Sequence, residues 1–117
     1  MNKETPLINK ILAEYGARPD VRLWRNVTSH AYVGKVVERE RNRVTLWPSQ
    51  HIQVGLCPGS SDIIGIGPEG RFVALEVKTP NVRVTRVQQN FVDMVRDLGG
   101  VAGVVRSVED SLGLLPS

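Results

Sequence analysis

The chain has 117 residues, 41% of them hydrophobic and 23% charged, a composition that suits one globular domain with a modest core and excludes a disordered or fibrous segment. No run approaches the ~18 consecutive apolar residues of a membrane span, no secretory leader is evident, and the single Cys57 excludes an internal disulfide or a cysteine-based zinc cage; a reducing cytoplasm is expected. A net charge of +3 and a pI near 9.4 suit a polyanionic partner.

From Thr5 to Tyr15 the apolar positions Leu7, Ile8, Ile11, Leu12 and Tyr15 recur at helical spacing, with Pro6 tolerated in the first turn and Gly16 as the stop. Glu4 sits at the mouth of this helix, where a carboxylate complements the helix dipole. Ala17–Asp20 reads as a turn and Val21–Asn26 as a strand; Arg25 can reach a phosphate, and the alternative is that Arg22 and Arg25 simply lie on a wet face. Within residues 31–54, Tyr32–Val37 and Val44–Trp47 read as two strands of a projecting β-hairpin. The run Glu38-Arg39-Glu40-Arg41-Asn42-Arg43 forms its tip. A charge run is usually a solvated turn; the alternative is a DNA arm using Arg39, Arg41 and Arg43, with Trp47 as a stacking surface. His30 and His51 have no i+4 partner and no Cys or His cluster nearby, and are not read as metal ligands.

The chemistry concentrates between Gly59 and Gln89. Gly59-Ser60-Ser61-Asp62-Ile63-Ile64-Gly65 and Arg71-Phe72-Val73-Ala74-Leu75-Glu76-Val77-Lys78 each read as a short strand rich in branched apolar residues and bounded by Gly and Pro. A strand that apolar should be buried, yet Glu76 and Lys78 share one of its faces. Pro68-Glu69-Gly70 suits a three-residue hairpin loop, with Gly supplying the left-handed position. That loop sets Ile66 opposite Phe72, Ile64 opposite Ala74 and Asp62 opposite Glu76, with cross-strand Cβ atoms about 4.5–5.5 Å apart. Two carboxylates that close need a positive partner. A hard divalent cation meets the need, Mg²⁺ being usual where phosphate is the substrate, and Lys78 then lies where it can hold a water or stabilise a negative transition state. Against this stands an exposed ladder pair with Asp62 as a turn residue, which would contribute little; the flanking apolar run and the register favour a site.

A helix follows over 86–98, with Val87, Phe91, Met94, Val95 and Leu98 as its core stripe. Thr85-x-x-Gln88 is a capping box, so Gln88 has a purely structural role open to it. Arg83 and Arg86 flank the start of this helix, where phosphate contact is plausible. Gly99-Gly100 ends the helix, Val101–Val105 gives a further strand, and Ser107 caps a terminal helical turn.

An Asp at the start of one strand, Glu-x-Lys on the next and a Gln on the following helix resemble the PD-(D/E)XK nuclease superfamily. The finer pattern is similar to its VRR-NUC branch, the virus-type replication-repair nucleases that phages often encode as small stand-alone proteins. The matching residues are Gly59–Gly65, Glu76-Val77-Lys78, Thr85-x-x-Gln88, Gly99-Gly100-Val101 and Val104–Asp110, and the Arg25-Asn26 pair is also similar. Ser61 stands where the superfamily name places Pro, a residue that shapes backbone and donates no chemistry. The resemblance implies an α/β fold with a restriction-endonuclease-like core: a central mixed β-sheet flanked by helices, one domain over 1–117 with the hairpin of about 31–54 inserted. It implies a metal-dependent endodeoxyribonuclease acting on structured DNA such as a Holliday junction, flap or fork, working as a homodimer in a bacterial or phage-infected host cytoplasm. Asp62, Glu76 and the Val77 backbone carbonyl would hold Mg²⁺, which Mn²⁺ can replace. Lys78 would orient or activate the attacking water, and Glu4 and Gln88 would complete the site, with Arg25, Arg39, Arg41, Arg43, Arg83 and Arg86 as DNA contacts. Two rivals are a non-catalytic DNA-binding module and an inert subunit of a larger phage replication or repair complex.

Overall fold

The computed structural model describes residues 3–117. In chain order its elements are α1 (Thr5–Tyr15), β1 (Arg22–Arg25), β2 (Ser29–Glu40), β3 (Arg43–Val54), β4 (Ile63–Ile66), β5 (Phe72–Val77), α2 (Arg86–Asp97), β6 (Val101–Val105) and α3 (Val108–Leu114). They fall into two compact units: β2 and β3 form one, spanning Val27–Cys57, and every other element belongs to the second.

The larger unit is built on a mixed four-stranded sheet in the order β1-β4-β5-β6. The β1–β4 and β4–β5 pairs are antiparallel, whereas β5 and β6 run parallel and use α2 as the crossover a parallel pair requires. β5 separates the two cores of this unit and is buried continuously from Val73 through Lys78. Its alternating side chains divide two cores. Val73, Leu75 and Val77 meet Ile8, Ile11 and Tyr15 of α1, together with Ile63, Val105 and Leu115. On the other face Ala74 and Ala102 leave room for Phe91, Val92 and Val95 of α2. A central strand covered on both faces has to be apolar almost throughout, and each fully buried Val, Leu or Ile stabilises by about 1.5–3 kcal/mol. Glu76, in step with Ala74, therefore lies on the α2 face.

The turn between β4 and β5 sets the expected register: Gly67 N–H donates to the Arg71 carbonyl at 2.8 Å, and Ile66 faces Phe72 while Ile64 faces Ala74. Its left-handed geometry is shared by two residues, Glu69 at φ 64° and Gly70 at φ 76°, where glycine alone was expected. Gly16 ends α1 in a right-handed conformation, φ −61°. The chain is fastened just there, by Tyr15 Oη donating to Ser111 Oγ at 3.1 Å and Arg18 Nη1 donating to the Leu115 carbonyl at 2.6 Å.

One expectation needs correction. The buried side of α2 is Phe91, Val92 and Val95, not the stripe running from Val87 to Leu98. Val87, Met94 and Leu98 are 53%, 43% and 81% exposed. α2 packs on β5 and β6, and the side it turns to them carries Phe91, Val92 and Val95 in place of Met94.

The smaller unit is a two-stranded antiparallel ribbon of 12 residues per strand, from Ser29 opposite Val54 to Glu40 opposite Arg43. Its strands outrun the expected ones because the loop is only Arg41-Asn42. In a ribbon exposed along nearly its whole length, Glu38, Arg39 and Glu40 sit in a strand without any charge being buried. Register shifts flank Val36. Beside the first of them, a side chain at Gly34 would collide with the Pro48 carbonyl.

The α2 boundary gives the first test. Val92→Ala is expected to cost about 2 kcal/mol by the burial it removes, whereas Leu98→Ala should stay within about 0.5 kcal/mol. Urea denaturation of both variants decides which residue faces the core; equal losses would refute the packing described.

Candidate active site

At the C-terminal end of β5 the apolar run gives way to Glu76, Val77 and Lys78. Glu76 is 2% exposed and Lys78 8%, burial that such side chains tolerate only when partnered. Lys78 Nζ stands 3.9 Å from Glu76 Oε2, and its backbone N–H donates to the Val105 carbonyl at 3.0 Å, extending the pairing with β6 past the end of β5. Glu76 Oε1 and Ser61 Oγ, both buried, have no hydrogen-bond partner among the described residues.

Asp62 enters from the residue before β4. Its Oδ2 accepts the Val77 N–H at 2.9 Å, which fixes the carboxylate against the end of β5 beside Glu76. The turn that delivers it is held by Asn26. This residue donates its backbone N–H to the Asp62 carbonyl at 2.8 Å and its side-chain amide to Ser60 Oγ and the Ser61 carbonyl, both at 2.9 Å. At Gly59, φ is +82° and a side chain would run into the Val87 carbonyl, so glycine lets this turn lie close on the first turn of α2.

Burial pushes the Glu76 carboxyl up to about 8. The negative charge of Asp62 and a hydrogen bond with it push in the same direction, Lys78 offsets part of the rise, and Glu4 adds to it. Glu4 is thus within electrostatic reach of the pair. It stands half-buried before α1, where its carbonyl accepts the first helical N–H, from Ile8 at 2.9 Å, and its side chain makes no capping bond.

Gln88 shares its amide. The capping box is complete, with Gln88 N–H donating to Thr85 Oγ1 at 3.2 Å and Gln88 Oε1 accepting the Thr85 N–H at 2.9 Å. Any role toward the carboxylates therefore falls to Nε2. Arg83 and Arg86 are exposed on the segment leading into α2. Exposed Arg25 donates to Thr5 Oγ1 at 3.4 Å, tying β1 to the start of α1. Arg39, Arg41 and Arg43 belong to the ribbon, where Arg43 is engaged by Glu40 at 2.9 Å.

Two residues shape the site without having been singled out in the sequence. Asn26 was visible only as the neighbour of Arg25, and its clamp on residues 60–62 depends on the β1–β4 pairing. Arg106, at the end of β6, donates Nη1 to the Thr79 carbonyl at 2.9 Å and the Val82 carbonyl at 2.7 Å. It anchors the segment between Lys78 and α2, on which Arg83 sits. A lone arginine after a strand gives no signal of that role. The groove bounded by Arg71, Phe72, Met94, Leu98 and Gly99, about 410 Å³, opens at the other end of β5 and holds none of these carboxylates.

Among the described residues no three His, Cys, Asp or Glu side chains gather as a metal cage, and no helix is long and apolar enough to cross a membrane. The donors available to a cation are Asp62, Glu76 and the Val77 carbonyl. That set suits a hard ion that keeps several of its waters. The orphaned Glu76 Oε1, beside Asp62, is an oxygen such an ion could engage.

The family described as the VRR-NUC domain matches residues 40–109, more than half of the chain. Asp62, Glu76, Lys78, Gln88, Arg83, Arg86 and Arg106 all lie inside the match; Glu4, Arg25 and Asn26 lie before it. No curated protein matches the chain.

The raised Glu76 has a measurable consequence. In chelator the folded chain keeps a proton that the unfolded chain releases above about 4.5, so Glu76 removes stability as pH rises, and the loss is complete above about 8. Glu76→Gln cannot lose that proton. Between about pH 5 and about pH 8 the Tm of the wild type should fall relative to that of Glu76→Gln by several degrees. Parallel curves would show that the carboxyl is not held in the uncharged form.

Proposed function

Because the chain belongs to the VRR-NUC domain family of nucleases, we propose that it is a metal-dependent endodeoxyribonuclease with its centre at Asp62, Glu76 and Lys78, and that Mg²⁺ is the metal. The observation that carries this reading is the buried Glu76, pressed against a second carboxylate with one oxygen unpartnered, 3.9 Å from the only cation in its immediate surroundings among the described residues. A structural ion pair would not need Asp62. A retired site has no physical reason to keep two carboxylates together.

When bound, Mg²⁺ would supply charge stabilisation at the phosphoryl oxygens and a water of lowered pKa. Asp62 and Glu76 would hold it, with the Val77 carbonyl beside them. Asp62 is pre-positioned by the Val77 N–H and by the clamp of Asn26 on the preceding turn, so little reorganisation is required of it. Lys78, fixed at its backbone by Val105, presents its ammonium at the same end of the strand. There it can orient the attacking water and balance the charge that develops on phosphorus as the water oxygen adds and the P–O ester bond breaks. Gln88, through Nε2, and Glu4 would order water around the pair. Arg83 and Arg86 are exposed for contact with the sugar-phosphate backbone, and Arg25, Arg39, Arg41 and Arg43 offer further contacts. Structured DNA is the proposed substrate. A homodimer would present two such centres to two strands, which a chain of this length cannot do alone.

The test is cleavage of end-labelled duplex, flap, fork and four-way junction DNA in Mg²⁺, Mn²⁺ or EDTA. Wild type should cut only with a divalent metal, and Lys78→Ala should lose roughly 10²–10³-fold in rate. Binding without cutting in every metal would instead leave a non-catalytic DNA-binding module. Cutting that appears only after a second protein is added would indicate a subunit of a larger complex.

A further inference from the structure

We infer that one face of the β2–β3 ribbon is a stacking platform for the unpaired bases of single-stranded DNA, built by Tyr32, His51 and His30. The inference rests on the reading of the chain as a DNA nuclease and adds a preference for DNA that carries an unpaired stretch.

Tyr32 pairs directly with His51 across the ribbon, and His30 pairs with Gln53. With side chains alternating along each strand, all four residues point to one face. The rings touch: His30 and His51 stack with centroids 4.8 Å apart and planes 14° apart, and the Tyr32 ring lies 5.2 Å from that of His51. The half-buried residues Ala31, Ile52 and Val54 all belong to the opposite face. Tyr32 is 67% exposed, so the rings are offered to solvent rather than used as core. In sequence the two histidines are 21 positions apart with nothing to join them; only the register does so.

Three alternatives fit less well. In a metal site the in-plane lone pairs of the two imidazoles would converge on one point, and parallel stacked rings do not allow that. An apolar docking face for protein would not carry two imidazoles, a phenol and Gln53. Duplex DNA hides the faces of its bases against one another, so rings lying flat along a ribbon gain little from it. Single-stranded DNA presents free base faces, and ring-on-base stacking tolerates any sequence. The electrostatics agree. The ribbon segment Val27–Cys57 carries four basic side chains against two acidic ones. Of these, Lys35, Arg39 and Arg41 enter no ion pair among the described residues and can meet phosphates.

The experiment is fluorescence anisotropy with the full chain in EDTA, using labelled oligo-dT and a blunt duplex of the same length. The variants are Tyr32→Ala/His51→Ala and Tyr32→Phe/His51→Phe, the second keeping both rings. The alanine variant should bind oligo-dT roughly tenfold or more weakly, with duplex binding unchanged, and the phenylalanine variant should bind like wild type. Wild-type affinity in the alanine variant would overturn the inference, and so would equal losses in both variants. Sedimentation of the same samples covers the remaining case: an alanine variant that changes from dimer to monomer yet binds oligo-dT normally would assign the face to a second copy of the chain. Since nothing is cleaved in EDTA, the outcome is separate from that of the nuclease assay. Oligo-dT binding through these rings would stand even if no cutting were found, and cutting without it would leave the nuclease reading in place.

Discussion

A carboxylate buried at the end of the central strand, with a second carboxylate set against it, is the constraint on which the arrangement depends. Glu76 is carried into the interior by its neighbours: Val73, Leu75 and Val77 face α1, Ala74 faces α2, and the same alternation leaves Glu76 only 2% exposed. Burying that charge costs several kcal/mol unless a cation or a proton offsets it. Lys78 is the nearest cation among the described residues, at the outer limit of an ion pair, and burial still pushes the carboxyl up to about 8. The fold thus holds a carboxyl that keeps its proton unless a cation replaces it, and the apolar contacts on either side of β5 support that burial.

Two clamps keep that place fixed. Asn26 ties the end of β1 to the turn before Asp62, and Arg106 ties the end of β6 to the segment after Lys78. They come from the two edge strands and reach inward to the central pair. Both use side-chain bonds to backbone carbonyls, which fix backbone paths rather than single rotamers. Loosening either would misplace a carboxylate or the segment bearing Arg83 without removing any group proposed to act on DNA.

What could be read from the sequence follows from how local each cause is. The register of β4 on β5 was legible because a three-residue turn fixes it over only a few positions on either side: the observed ladder follows it from Ile66–Phe72 to Ile63–Leu75, and Asp62, just before that ladder, reaches the end of β5 through the Val77 N–H. α1 was legible from its own periodicity. The face of α2 was not, because Val92 and Met94 are both apolar and the choice between them is made by how the helix lies on β5 and β6, a property of the whole fold. Asn26 and Arg106 were hidden for the same reason: each acts on residues 20 or more positions away in sequence. The stack of His30 on His51 depends on a ladder interrupted by two register shifts, which no count of residues along the chain would anticipate.

Hydrolysis and grip are assigned to different side chains on this reading, and the reason is burial. Lys78 is nearly inaccessible and already faces Glu76, so it can influence a group that reaches the end of β5 but adds little to affinity for a long polyanion. The exposed arginines do the reverse. Each phosphate they neutralise steepens the salt dependence of binding by about 0.9 in the logarithmic slope for a duplex and about 0.7 for a single strand. Ring stacking changes little with salt. A DNA held partly by stacking should therefore resist rising salt better than one held by phosphates alone, and on the ribbon exposed rings occur together with Lys35, Arg39 and Arg41, which enter no ion pair among the described residues. On this proposal, selectivity among DNA shapes would come from which bases are free to leave their own stack, with no contact to a particular sequence required.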